Sequence, residues 1–206
     1  IMKIVILGYT GLIGNSILDQ LSKNKSLDII CVGRKIKKKT KINNRIKYFR
    51  WNFKSFKKEN LSFLKKANIV INCVGKIDDD KYNIKYINVI FVQKLIDYLH
   101  SCKFKVRLIH LSSVAVYGGN KNFFGQNKIF SENSNVITND IYSESKLNGD
   151  LILQNIVKKS TNKYFSYTIF RISNVFGGRK KSNLFKYVIF MVKNGIWIKC
   201  YDECYF

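Results

Sequence analysis

Met2-Lys-Ile-Val-Ile-Leu7, followed at once by Gly8-Tyr-Thr-Gly11-Leu-Ile-Gly14, opens the chain and decides its fold. The first six residues form an apolar run of strand length. Beyond the glycines, Ile13, Ile17, Leu18 and Leu21 recur on one helical face. Strand, glycine-rich turn and helix together make an anion-binding element. Glycine permits the tight turn and a close backbone approach, and the helix N-terminus offers unpaired N–H groups. An ordinary βα turn with three incidental glycines is the plainer alternative, and the flanking strand and amphipathic helix argue against it. The spacing is G-x-x-G-x-x-G, not the more familiar G-x-G-x-x-G.

Outward from this unit, apolar strands and amphipathic helices alternate. The pattern predicts strands near 2–7, 28–32, 46–50, 68–73, 106–112 and 166–171, and helices near 12–23, 55–66, 82–100, 140–158 and 182–194. Such alternation is the mark of an α/β fold, a doubly wound parallel sheet with helices on both faces. No internal repeat or Gly/Ser linker divides it. The polar stretch from Gly118 to Asp140 is long for a connection, and loops of that length in compact domains usually serve function.

Composition narrows the class. The chain has 206 residues, enough for one core, and at 46% hydrophobic it reads as globular. No apolar run reaches the ~18 residues of a membrane span, and the first apolar stretch belongs to the glycine motif and not to a leader. The five cysteines (31, 73, 102, 200 and 204) form no zinc pattern. Cys31 and Cys73 fall in predicted buried strands, and Cys200-x-x-x-Cys204 lacks companion ligands. A reducing cytoplasm with no bound metal is therefore expected.

The formal charge of +24 raises a nucleic-acid reading. Lysines are spread over every segment in a chain that has no proline, so the bias is compositional and not a footprint on one face. The densest cluster, Arg34-Lys-Ile-Lys-Lys-Lys-Thr-Lys41, has three readings: a solvated loop, a cofactor-phosphate site, and, last, a nucleic-acid patch. No aromatic interleaving supports the third.

Tyr142-Ser-Glu-Ser-Lys146 places a phenol and an ammonium four residues apart, on one face of a helix. A tyrosine titrates near ~10, and a neighbouring cation favours its phenolate. Alone the pair is weak; its partners give it weight.

Joined to Leu111-Ser-Ser-Val-Ala-Val-Tyr-Gly118 and Arg171-Ile-Ser-Asn-Val-Phe-Gly177, these motifs resemble the extended short-chain dehydrogenase/reductase family. The nearest members are its sugar-nucleotide epimerases, dehydratases and keto-reductases. The resemblance runs from Met2 to about Gly178 and implies a Rossmann-type sheet of order 3-2-1-4-5-6, with an NAD(P) cofactor across the carboxyl ends of its strands. It places Gly8, Thr10, Gly11, Leu12, Ile13 and Gly14 at the cofactor diphosphate. Arg34, Asn52 and Phe53 fall at the adenosine end, with Cys73, Val74 and Gly75 along the cofactor. Asn52 stands where the family usually has Asp, and its amide retains a donor and an acceptor.

For chemistry, the resemblance implies that Ser113 binds the reacting hydroxyl or carbonyl, Tyr142 exchanges the proton, and Lys146 lowers the tyrosine pKa and holds the nicotinamide ribose. Asn88 would support the lysine through water, and Asn174 would meet a substrate diphosphate. Glu132 matches a position where the family commonly has a glutamate. Ser112 is the alternative to Ser113; alignment on Val116-Tyr-Gly118 favours Ser113.

Two departures refine this. The family's dehydratases carry an acid and a base where this chain has Val114 and Ala115, so elimination of water is not expected. Epimerisation of a nucleotide-sugar and reduction of a keto-sugar both stand. The second departure is at the second strand: NAD-binding folds place an acid about 20 residues past the glycine turn, whereas this chain ends Cys31-Val-Gly-Arg34, which favours NADP with NAD as the alternative.

The expected organisation is an NAD(P)-binding domain over 1–178 and the start of a truncated substrate-binding region over 179–206, where Arg179, Lys180 and Lys181 add charge. A non-catalytic NADP-binding module is the competing function, and a basic nucleic-acid-binding protein on this scaffold ranks third. A nucleotide-sugar substrate and a homodimer through the 82–100 and 140–158 helices are the expected partners, with neither membrane nor nucleic acid.

Overall fold

Six apolar runs form six parallel strands, because runs of Ile, Val and Leu can be buried on both faces of a sheet. A computed structural model describes residues 1–36, 44–118, 130–159, 161–173, 175 and 193–194. The strands are β1 (Met2–Leu7), β2 (Leu27–Gly33), β3 (Ile46–Arg50), β4 (Ile69–Asn72), β5 (Val106–Ser113) and β6 (Phe165–Ile172). They pair in parallel in the order β3-β2-β1-β4-β5-β6, the order expected from the resemblance. The helices are α1 (Leu12–Leu21), α2 (Lys81–Lys85), α3 (Phe91–Ser101) and α4 (Ile141–Lys158).

Strand alternation divides the core in two. Ile4 and Ile6 join Leu18 of α1 on one face of the sheet, while Val5 and Leu7 join Leu95, Leu99 and Leu153 on the other. At the edge of the second cluster, Trp51 contacts Phe53, Phe63 and Phe91 with ring centroids 5.2–5.6 Å apart. Each such pair contributes ~0.5–1.5 kcal/mol beyond its buried area, so the chain leaving β3 is held firmly.

The helix expected over 55–66 does not form as an α-helix. Lys58–Leu64 makes 3-10 turns broken at Leu61, whose φ is −102°. The apolar spacing there imitates a helix face, but aromatic packing fixes the segment. A further difference lies within the expected 82–100 helix: Tyr86–Ile90 is a π-turn between α2 and α3, with Phe91 N–H donating to the Tyr86 carbonyl. Most of the 182–194 helix, and all of 176–192, lie outside the described residues. Among the described residues no helix is long and apolar enough to cross a membrane.

β1 and β4 lie side by side, and at this boundary the connections change direction across the sheet. Gly8 leaves β1 with φ +79°, and a Cβ there would stand 3.0 Å from the Cys73 carbonyl oxygen. Gly14 faces a harder restriction, since its Cβ would come within 2.5 Å of the Gly8 carbonyl oxygen. Gly14→Ala is expected to destabilise the nucleotide-free chain by ~1–3 kcal/mol through overpacking. Gly11→Ala, whose Cβ would sit at 3.3 Å, should cost less. Urea unfolding of the two variants side by side measures the difference.

Candidate functional site

The Gly8–Gly11 turn and the ends of β2, β3 and β4 surround a cleft on the carboxyl side of the sheet. Gly8, Thr10, Gly11, Arg34, Asn52, Phe53, Cys73, Val74 and Gly75 line it, together with Lys54, Lys76 and Ile87, which the sequence reading missed. Leu12, Ile13 and Gly14 do not line the cleft and lie instead in the first turn of α1. Asn52 is exposed and accepts the Lys54 N–H at 3.1 Å, while Phe53 is buried against Trp51 and Phe91. Lys76 pairs with Asp79 at 2.6 Å. Lys54 donates to Asn83, and its carbonyl accepts the Tyr86 hydroxyl at 2.7 Å.

The residues present fit a dinucleotide. The glycine turn keeps Cβ atoms off the path to the α1 N-terminus, and the lining contains three cations and no carboxylate. Among the described residues no group of His, Cys, Asp and Glu could hold a metal ion.

Beside the cleft, α4 brings up the polar residues. Asp140 caps it by accepting the Ser143 N–H at 2.6 Å, with the Ser143 hydroxyl completing a capping box. Lys146 is buried and donates to the Leu111 carbonyl at 2.5 Å. A Cβ on Gly75 would lie 3.8 Å from Lys146 Nζ, so the ammonium stands directly behind the cleft wall. Burial lowers its pKa to about 8, against the opposing pull of Asp150 and then Cys73. Burial also pushes the Cys73 thiol up to about 12. Cys73 is half-buried and stands just past β4 instead of inside a buried strand.

Tyr142 is half-buried one turn before Lys146. Burial raises its pKa first, a hydrogen bond with the Ser113 side chain works against this, and Asp140 adds to the rise. The expected lowering by Lys146 is therefore corrected: the ammonium is engaged at the Leu111 carbonyl, and desolvation keeps the phenol protonated. Ser113 rather than Ser112 meets the tyrosine, and its Oγ also accepts the Ala115 N–H at 3.2 Å. Ser112 faces the other way, into the protein.

Asn88 is buried in the π-turn. Its Oδ1 accepts the Lys76 N–H at 2.9 Å, and its Nδ2 donates to the Lys76 carbonyl at 2.8 Å and the Ser145 hydroxyl at 2.9 Å. It thus fastens the cleft wall to α4 and makes no direct bond to Lys146. Gly149 makes this approach possible, since a Cβ there would be 3.0 Å from the Asn88 carbonyl oxygen. Glu132 is exposed. Asn174, Arg179, Lys180, Lys181, Cys200, Cys204 and most of the Arg34–Lys41 cluster lie outside the described residues.

A buried polar layer beneath Lys146 was not foreseen. Asp150 pairs with Arg171 at 3.0 Å, and Arg171 donates to the Tyr117 hydroxyl at 2.7 Å. Asn72 Oδ1 accepts the Val74 N–H, so its Nδ2 donates to His110 Nδ1 at 3.2 Å and the imidazole proton sits on Nε2. His110 Nε2, Ser112 Oγ and Asp150 Oδ1 have no hydrogen-bond partner. The only signal in the sequence was Asp150 falling four residues after Lys146.

The model of the family described as NAD dependent epimerase/dehydratase matches residues 4–201. No curated protein matches. Among solved structures, the chain is similar to UDP-glucuronic acid 4-epimerase from Bacillus cereus in complex with NAD, at 20% identity and a TM-score of 0.77, covering 94% of this chain and 63% of that one. It is similar also to the Bordetella bronchiseptica enzyme WbmH in complex with NAD+, at 16% identity and a TM-score of 0.72, covering 95% and 63%. The chain therefore spans less than two thirds of the length of these two proteins.

Burial holds the His110 pKa down at about 3, and Lys146 adds to the shift. An unfolded histidine titrates near ~6.5 and binds a proton that the folded one refuses. Stability should therefore fall as pH drops from about 6.5 toward about 3, by up to ~1.4 kcal/mol per pH unit from this group. His110→Gln keeps an acceptor for Asn72 and should show a shallower loss between pH 6.5 and 4 when urea midpoints are compared with wild type.

Proposed function

Since this chain belongs to the NAD dependent epimerase/dehydratase family, we propose that it carries the catalytic half of a nucleotide-sugar epimerase that works by reversible oxidation at a sugar carbon. The observation that supports this best is the meeting of Tyr142 with Ser113, one turn from a Lys146 ammonium behind the wall of a dinucleotide-shaped cleft. The B. cereus protein is a UDP-glucuronic acid 4-epimerase, which makes a UDP-sugar the substrate class to try first.

A bound nicotinamide cofactor supplies hydride exchange at the sugar carbon. Ser113 holds the sugar hydroxyl or carbonyl at the end of β5. Tyr142 takes the sugar hydroxyl proton as its phenolate during oxidation and returns it to the carbonyl oxygen during reduction; because burial raises its pKa, oxidation draws on the minor ionised form of the phenol. Lys146 presents its charge to the ribose side of the cleft, while Asn88 fixes the wall between them. Val114 and Ala115 have no proton to give, so elimination of water is outside this repertoire. Asn174 is assigned to the substrate diphosphate on the strength of the resemblance.

Arg34 favours a second reading, reduction of a keto-sugar with NADPH. It is exposed on the cleft lining at the tip of β2, where a guanidinium can pair a 2′-phosphate and no carboxylate competes.

Two measurements test these readings. Tyr142→Phe should bind cofactor with unchanged affinity, yet lose ~100- to 10,000-fold in turnover of a UDP-sugar or keto-sugar nucleotide. Tight cofactor binding with no turnover by the unaltered chain would instead support a binding module. Arg34→Ala should weaken NADPH by about tenfold or more and leave NADH nearly unchanged. Equal effects on the two would remove the NADP preference and leave the epimerase with NAD.

A further inference from the structure

The mechanism above leaves Asp150 unused, although it is the most deeply buried carboxylate near the site. It is fully buried in α4, one turn after Lys146 and on the same helical face. Helical side chains lean toward the N-terminus, so Asp150 projects over the turn that carries Lys146. Arg171 occupies only its Oδ2, and Oδ1 has no hydrogen-bond partner. A carboxylate stripped of water on every side is retained only where positive charge faces it. Two cations meet that requirement here. One is Arg171, whose residue is paired in register with Ser112; the other is Lys146, held at the adjacent Leu111 carbonyl.

We infer that Asp150 is a positioning residue for Lys146: its buried carboxylate, anchored by Arg171, keeps the Lys146 side chain as an ammonium behind the cleft wall. This deepens the catalytic reading and rests on it for its functional meaning. The lysine needs such a partner. Burial outweighs the opposing pull of Asp150 and then Cys73 and leaves its pKa at about 8. The other groups facing it cannot substitute. His110 of β5 is neutral at physiological pH, the Cys73 thiol beyond β4 titrates only at about 12, and Tyr142 of α4 is shifted upward. Arg171 of β6 carries the wrong sign. Burial raises the Asp150 pKa, and Ser112, Arg171 and Lys146 work against that rise, Ser112 without closing a hydrogen bond.

The test is an NMR titration of the side-chain carbons in 13C-lysine-labelled chain, free of cofactor. One lysine should titrate near 8 and vanish in Lys146→Met, which assigns it. In Asp150→Asn its midpoint should fall by about one unit or more, while Asp150→Glu, which retains the charge, should hold it near the wild-type value. Asp150→Asn leaves the half-buried Arg171 without its carboxylate partner and can lose the fold. The paired change Asp150→Asn with Arg171→Met removes both charges and should show a fall in the same direction, smaller because a repelling guanidinium is lost with the carboxylate. An unmoved midpoint in either folded variant, or an Asp150→Glu midpoint as low as that of Asp150→Asn, overturns the inference. Loss of the fold in both charge-removing variants also overturns it, by making Asp150 a residue of the core alone. Turnover plays no part in the titration, so an inactive chain would count against the proposed reaction and leave this result standing.

Discussion

The hydrogen bond from Lys146 Nζ to the Leu111 carbonyl, 2.5 Å long, sets the geometry of the whole site. It fixes α4 against the last turn of β5, and the helix runs back along the strand. From Lys146 to Tyr142 is four residues of helix, ~6 Å of rise. From Leu111 to Ser113 is two residues of strand, ~6.6 Å. These two advances nearly match, so fastening the lysine to Leu111 delivers the tyrosine to Ser113. The four-residue spacing thus answers to the pitch of the neighbouring strand as well as to the helix itself. Close approach is the condition, and Gly149 meets it by leaving α4 bare where it crosses the Asn88 carbonyl.

Such closeness removes water, and water is what a charge needs most. Two cations, Lys146 and Arg171, and one carboxylate, Asp150, share the interior here. That small imbalance matters more than the +24 of the whole chain. Surface lysines act through a solvent that screens them over ~8–10 Å, whereas a desolvated ammonium feels each neighbour strongly. The composition that dominates a first look at the chain therefore has little bearing on its chemistry. The charges closest to the proposed proton exchange are those that α4, β5 and β6 enclose.

The fold was legible because parallel strands buried on both faces write themselves as apolar runs, and all six were found within a residue or two of their ends. The segment 55–66 was misread because Phe56, Leu61, Phe63 and Leu64 recur at helical intervals while serving an aromatic cluster around Trp51. A π-turn leaves no pattern at all, since it adds one residue to a turn without changing which residue types are apolar. At the site, glycines and the Tyr142/Lys146 pair could be read from spacing. His110, Asp150, Lys54 and Lys76 could not. Each is an ordinary polar residue until tertiary contacts bury it or turn it to the cleft.

The cleft carries its own argument about cofactor choice. Of its three cations, Lys76 is committed to Asp79 and Lys54 to Asn83, so both help hold the wall in place. Arg34 stands exposed where β2 ends, on the same lining as Asn52. Gly33 brings the strand tip against the Tyr9 ring, with 3.0 Å from its ideal Cβ position to Cε1, so the backbone that presents Arg34 is braced from behind. An arginine on a braced strand end gives up less freedom when it grips a phosphate than one on a free loop would. Similar solved proteins hold NAD in a similar fold, and the proposed NADPH reading for this chain rests on the charge at one corner of its own cleft. On the proposed NADPH reading this one side chain would carry the preference, because a 2′-phosphate brings about two negative charges to a place where an acidic residue would repel them and Arg34 would attract them.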